Sequence, residues 1–150
     1  MFHRWINFAA LPLRFVLGVI FVVHGAQKLF GWFGGSGLEA TAGFMASQGL
    51  VPGMLFAVVA VVLEFFGGLA LLAGLLTRWV ALLLAIEMLV ALVTVHLPKG
   101  FFAGQGGIEF PLVLIAGCVT LVCTGAQRYA VDARIPRLAD WEERQVRRAA

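Results

Sequence analysis

The chain has 150 residues, a length that suits one domain, and 61% of them are hydrophobic while 13% are charged. Soluble proteins run at about 45–50% apolar and about 25% charged, so a water-soluble fold of this size could not cover its own apolar surface. The net charge of +3 reflects mostly the C-terminal tail and gives no reason to invoke a nucleic-acid partner.

The first apolar block is "LPLRFVLGVIFVVHGAQKLF" at 11–30. It comes after a basic start at His3 and Arg4, as a cleaved secretory signal would. It is long for that, contains Arg14, and has no small-residue cleavage site before "LFGWF". A retained helix over about 12–31 is the expectation. His24, Gln27, Lys28 and Gly31 recur at i, i+3, i+4, i+7 and so share one helix face. An apolar span is there turning a polar face toward something other than lipid. The next loop, "GGSGLEATAGFMASQGLVPG", is rich in small residues. Its middle, Leu38 to Ala46, suits a short interfacial helix with Leu38, Ala42 and Met45 on one side.

The second block, "MLFAVVAVVLEFFGGLALLAGLL", predicts a span over 54–76. Glu64, Gly67, Gly68 and Leu71 share a face, and the glycines let a neighbouring backbone come close beside the acid. After the Thr77-Arg78 turn, "WVALLLAIEMLVALVTVHL" predicts a third span over 79–97, with Glu87 in its interior. The fourth, over 109–126, opens "EFP" and carries Gly117, Cys118 and Thr120 midway. Each block approaches the ~20 residues a helix needs to cross a bilayer, and a span must satisfy its own backbone. The fold class is therefore all-α, a four-helix transmembrane bundle occupying 1–133. Residues 134–150 form a basic tail with a short amphipathic helix expected from about Leu138, after Pro136, lying on anionic headgroups. Trp5, Trp32, Trp79 and Trp141 fall near span ends or in the tail, as interfacial indoles do.

Four crossings put both termini on one side. That side holds Arg4, Arg14, Arg78, Arg128, Arg134, Arg137, Arg144, Arg147 and Arg148, and the other holds only Lys28 and Lys99. The bias places the termini in the cytoplasm and the 32–53 and 98–108 loops outside.

Counting inward from the outer span ends at ~1.5 Å per residue puts His24 about 12 Å deep, Glu64 roughly 16 Å and Glu87 about 15 Å. Three ionisable groups on three helices thus reach one level, with Thr120 and Gly117 beside them on the fourth. A charge at that depth costs on the order of 2.5–3.5 kcal/mol, so the three are expected to face one another rather than lipid. They form a candidate quinone- or proton-handling cluster of His24, Gln27, Glu64, Glu87 and Thr120. Nearer the surface is an outer polar layer: Lys28, His96, Lys99 and Glu109.

Each residue also has a plainer reading. His24 and Glu64 suit a structural hydrogen bond between helices as well as a site. Lys28 is expected to snorkel to the outer interface, Glu109 to open its helix two residues before Pro111, and His96 to lie at the interface. His24 and His96 differ in depth by roughly 10 Å, which argues against paired haem ligands. His24, Glu64 and Glu87 offer a metal one nitrogen, fewer than zinc or copper prefers. Cys118 and Cys123 are not a C-x-x-C pair and read as small hydrophobes. No haem, flavin, iron–sulfur or metal site is evident, and "GWFGGSG" stands in the wrong context for a nucleotide cradle.

The ordered blocks "RFVLGVIFVVHGAQKLFGWFGG", "EFFGGLALLAGLLTRWVALLLAIEM", "HLPKGFF" with "GGIEFPLVLIAG", and the exit "RYAVD" resemble the DoxX family of small four-helix membrane proteins over roughly 10–133. The resemblance implies a multi-pass protein of the bacterial inner membrane with a redox association, since the name-giving relatives belong to a quinone-reducing thiosulfate oxidoreductase. It supplies no settled set of catalytic residues. The first expectation is a quinone-linked redox subunit that takes electrons from a partner redox protein. The alternatives are a non-enzymatic scaffold docking partners through its tail and outer loop, or a proton-coupled carrier of a small solute, which would need a homo-oligomer.

Overall fold

The computed structural model describes residues 8, 10–127 and 129–134. The expected tail helix, the tryptophans at 5 and 141, and the arginines at 4, 128, 137, 144, 147 and 148 lie outside them. Helix α1 is Ala10–Phe30, α2 is the short outer helix Gly37–Ser47, α3 is Gly53–Ala73, α4 is Thr77–Lys99 and α5 is Glu109–Thr124. The fold is a helical membrane bundle. α1, α3 and α4 have 21, 21 and 23 residues and are long and apolar enough to span a membrane. α5 has 16, about 24 Å of helix, shorter than expected because Gly125 (φ 71°) turns the chain away. α3 likewise stops at Ala73, short of the predicted 76, because Gly74 adopts a left-handed conformation and "LL" forms the turn. The interfacial helix expected over Leu38–Ala46 is α2.

Two of the long helices are not uniform. Val62–Phe66 in α3 and Leu92–His96 in α4 each form a π-turn. The wider turn inserts a residue into the helical register and rotates the helix beyond it. Glu64 lies inside the first π-turn and Thr94 and His96 inside the second.

Helix contacts track the small residues. A methyl group on Gly25 of α1 would lie 2.5 Å from the Phe65 amide nitrogen, and one on Gly68 of α3 would lie 2.7 Å from that of Val22. α1 and α3 therefore touch backbone to backbone in the turn that follows Glu64, as the "EFFGG" run suggests. α1 also packs on α5, with Leu13 and Leu17 over Gly117. α4 and α5 pair along their lengths, while α3 and α4 meet closely only near their shared turn, where Gly67 faces Val80 and Leu84. α2 rests on the first turn of α3, with Gly53 against the Ala42 carbonyl.

The packed core of Leu17, Phe21, Leu71, Leu84, Cys118 and Leu121 fills the half of the bundle that holds Arg14 and Arg78. That arginine end is tied by polar contacts. Arg14 Nη1 donates to the Ala126 carbonyl at 2.7 Å and Nη2 to that of Tyr129 at 2.8 Å. Arg78 Nη1 donates to the carbonyls of Val122 (2.6 Å) and Cys123 (2.9 Å), which close the last turn of α5. Asp132 accepts from the amides of Leu76 (2.7 Å) and Thr77 (3.0 Å), so the exit segment caps the N-terminus of α4. The half toward the loops is not filled in this way, and there the helices enclose a cavity.

Candidate functional site

The cavity has a volume of about 500 Å³ and is walled by all four long helices, with Phe44, Met45 and Leu50 from α2 and the loop after it closing its outer end. Most of its lining is aliphatic or aromatic. The exceptions are His24 and Lys28 from α1, Glu64 from α3, and Glu87, Thr94 and His96 from α4. Sites for small organic molecules have this character: about 300–1,000 Å³, mostly apolar, with a few converging polar groups.

Glu64 is 3% exposed and forms an ion pair with the Lys28 ammonium. The outward snorkelling expected of Lys28 is thereby corrected. Cα–Cβ bonds tilt toward a helix N-terminus. α1 runs from the arginine end to the loop end, so Lys28 leans back toward the middle of the bundle. α3 runs the opposite way, so Glu64 leans toward Lys28. The two tilts close a gap that residue counting leaves open. Lys28 belongs with the central cluster rather than with the outer layer.

Glu87 lines the same cavity from α4, within electrostatic reach of both Glu64 and Lys28. Its Oε2 is buried and has no hydrogen-bond partner among the described residues. His24 opens onto the cavity beside the Phe110 ring, 6.5 Å between centroids. The cluster thus holds one ammonium, one paired carboxyl, one carboxyl with an unused oxygen, and an imidazole. His96 stands farther out on the wall. Its Nδ1 lies 2.6 Å from the Gly106 carbonyl, and since a carbonyl only accepts, Nδ1 carries the hydrogen.

The remaining expected site residues lie elsewhere. The Gln27 side chain donates to the Phe33 carbonyl at 3.1 Å and holds the turn after α1. Thr120 is exposed, and its hydroxyl returns to the Ala116 carbonyl at 2.9 Å. α5 turns that residue away from the cavity, so Thr120 drops out of the cluster. Lys99 is exposed at the end of α4. Glu109 accepts from the Ala103 amide at 2.8 Å and steadies the loop before its own helix, in keeping with its reading as a helix-opening acid. Thr94, Phe44 and Met45 line the cavity and are absent from the sequence-derived site. For Thr94 the spacing to Glu87, seven residues along one helix face, is a usable signal. Among the described residues no three His, Cys, Asp or Glu side chains gather as metal ligands.

A profile of the DoxX family matches residues 9–97. The Bacillus subtilis protein "Putative oxidoreductase CatD" is 35% identical over 130 residues, 87% of this chain and 89% of that one. The Escherichia coli protein "Inner membrane protein YqjF" is 33% identical over 124 residues, 81% and 88% of the two chains. The Mycobacterium tuberculosis "Uncharacterized membrane protein Rv3486" is 29% identical over 148 residues, 87% and 83%. No solved structure matches the chain significantly.

Proposed function

The chain belongs to the DoxX family of membrane proteins, and on that footing we propose that it is a quinone-linked redox subunit whose cavity holds the quinone ring. The observation that carries this reading is Glu87: a carboxyl on the wall of an apolar cavity, within electrostatic reach of a cation and a second carboxyl, with an imidazole on the same cavity and with one oxygen not hydrogen-bonded among the described residues. A buried polar atom without a partner costs about 1–3 kcal/mol, a cost that a ligand's polar group would remove once the carboxyl turns toward the cavity. The name of the Bacillus subtilis relative supports a redox role. The name of the Escherichia coli relative and the arginines gathered at one end support the bacterial inner membrane with cytoplasmic termini.

Quinone reduction consumes a pair of electrons and a pair of protons, and the electrons come from a partner redox protein. The residues of this chain orient the ring and move the protons. His24 and Glu87 hydrogen-bond its oxygens and exchange protons with them. The Lys28 ammonium, held in place by Glu64, is the positive end of a dipole on the wall where negative charge develops. The aliphatic walls keep water away from that charge.

Equilibrium binding of a benzoquinone to the detergent-purified protein tests this. Glu87→Leu is expected to weaken binding about tenfold, the equivalent of one hydrogen bond, while leaving thermal stability unchanged or raised. Unchanged affinity in that variant would remove Glu87 from the site.

A further inference from the structure

The cavity is not walled evenly. α3 and α4 pack closely near their turn and have fewer contacts beyond it, and α2 packs on α1 and the start of α3 rather than on α4. Along that stretch Val59 on α3 and Leu83, Ile86 and Val90 on α4 line the cavity while being 44%, 47%, 51% and 41% exposed. All four are aliphatic, and they belong to membrane-spanning helices. At that depth their surroundings outside the bundle are hydrocarbon.

Resting on the quinone reading, we propose that the cavity opens sideways into the bilayer between α3 and α4, and that its ligand is lipid-borne: an oxygen-bearing ring held at His24 and Glu87, with an apolar chain leaving past Val59 and Val90 among the lipid tails. A mouth for a water-borne ligand carries polar groups that replace water in stages, and none of these four residues offers one. A chain moving from lipid to an aliphatic slot exchanges one apolar surrounding for another, so it gains little affinity and needs only room. The polar cluster then selects the headgroup and the slot accepts the tail.

The test compares a decyl-chain benzoquinone with its tail-less parent, both bound to the protein in lipid nanodiscs. The wild type is expected to bind both. Leu83→Trp and Val90→Trp are expected to weaken the decyl form at least tenfold and the tail-less form less than twofold, because they fill the slot and spare the cluster. Val113→Trp, on an exposed face of α5 away from the cavity, is expected to change neither. Equal weakening of both quinones, or weakening of neither, would overturn the sideways opening. A wild type that binds only the tail-less quinone would also overturn it and leave the quinone reading standing. A wild type that binds neither would remove the quinone reading and this proposal with it.

Discussion

Replacing Lys28 with methionine is expected to lower stability by about 3–5 kcal/mol, the usual cost of removing one member of a buried ion pair. Glu64 is the member left behind. Its side chain is 4% exposed, and the cavity wall around it is mostly aliphatic or aromatic and offers little to replace the ammonium. The variant must protonate the carboxyl or find another partner for it, and either is costly. The double variant Lys28→Met, Glu64→Leu is expected to recover most of the loss, because both desolvation penalties vanish together. Unfolding in mixed detergent micelles, monitored by circular dichroism, measures both. A single variant that loses less than about 1 kcal/mol would place the pair in a solvated setting.

Arg14→Leu is expected to be comparably severe, near 3 kcal/mol or more, for a different reason. Arg14 is 2% exposed, and its two terminal nitrogens each hold a carbonyl of the segment leaving α5. Hydrogen bonds to charged groups contribute about 1.5–3 kcal/mol each. Leucine fills part of the volume and leaves both carbonyls unanswered. Arg14→Lys keeps the charge but cannot fork, so it is expected to fall between leucine and wild type. In the fraction that stays folded, quinone affinity should be unchanged, since this tie lies at the opposite end of the bundle from His96. A stability loss below about 1 kcal/mol for the leucine variant would contradict the account of the arginine end.

The helices are legible in the sequence because crossing a bilayer demands long apolar runs, and the chain supplies them in separated blocks. Their ends are less so. "LL" before Thr77 and "GA" after Thr124 are turns built of apolar residues, and hydropathy does not register a turn there. The common level of His24, Glu64 and Glu87 comes from residue counting, and all three line one cavity. The pairing of Lys28 with Glu64 does not emerge from counting, although the tilt of Cβ along helices of opposite direction contains it. Gln27 and Thr120 enter the expected cluster by face and level alone. The outer turn takes up the first and the rotation of α5 disposes of the second. The π-turn at Glu64 has no local signal in "VLEFF". In the sequence Arg14 speaks to orientation and against a cleaved signal, and the aspartate of "RYAVD" has no evident task. Both act across more than fifty residues of sequence, where pattern reading has no reach.

The central claim is that the cluster at His24, Lys28, Glu64 and Glu87 holds a quinone. Native mass spectrometry of the protein released from membranes in mild detergent tests it most directly. The account predicts one adduct of quinone mass per chain in the wild type and none in a folded His24→Phe, Glu87→Leu variant. A wild type that flies without such an adduct, or a variant that retains it, would contradict the claim.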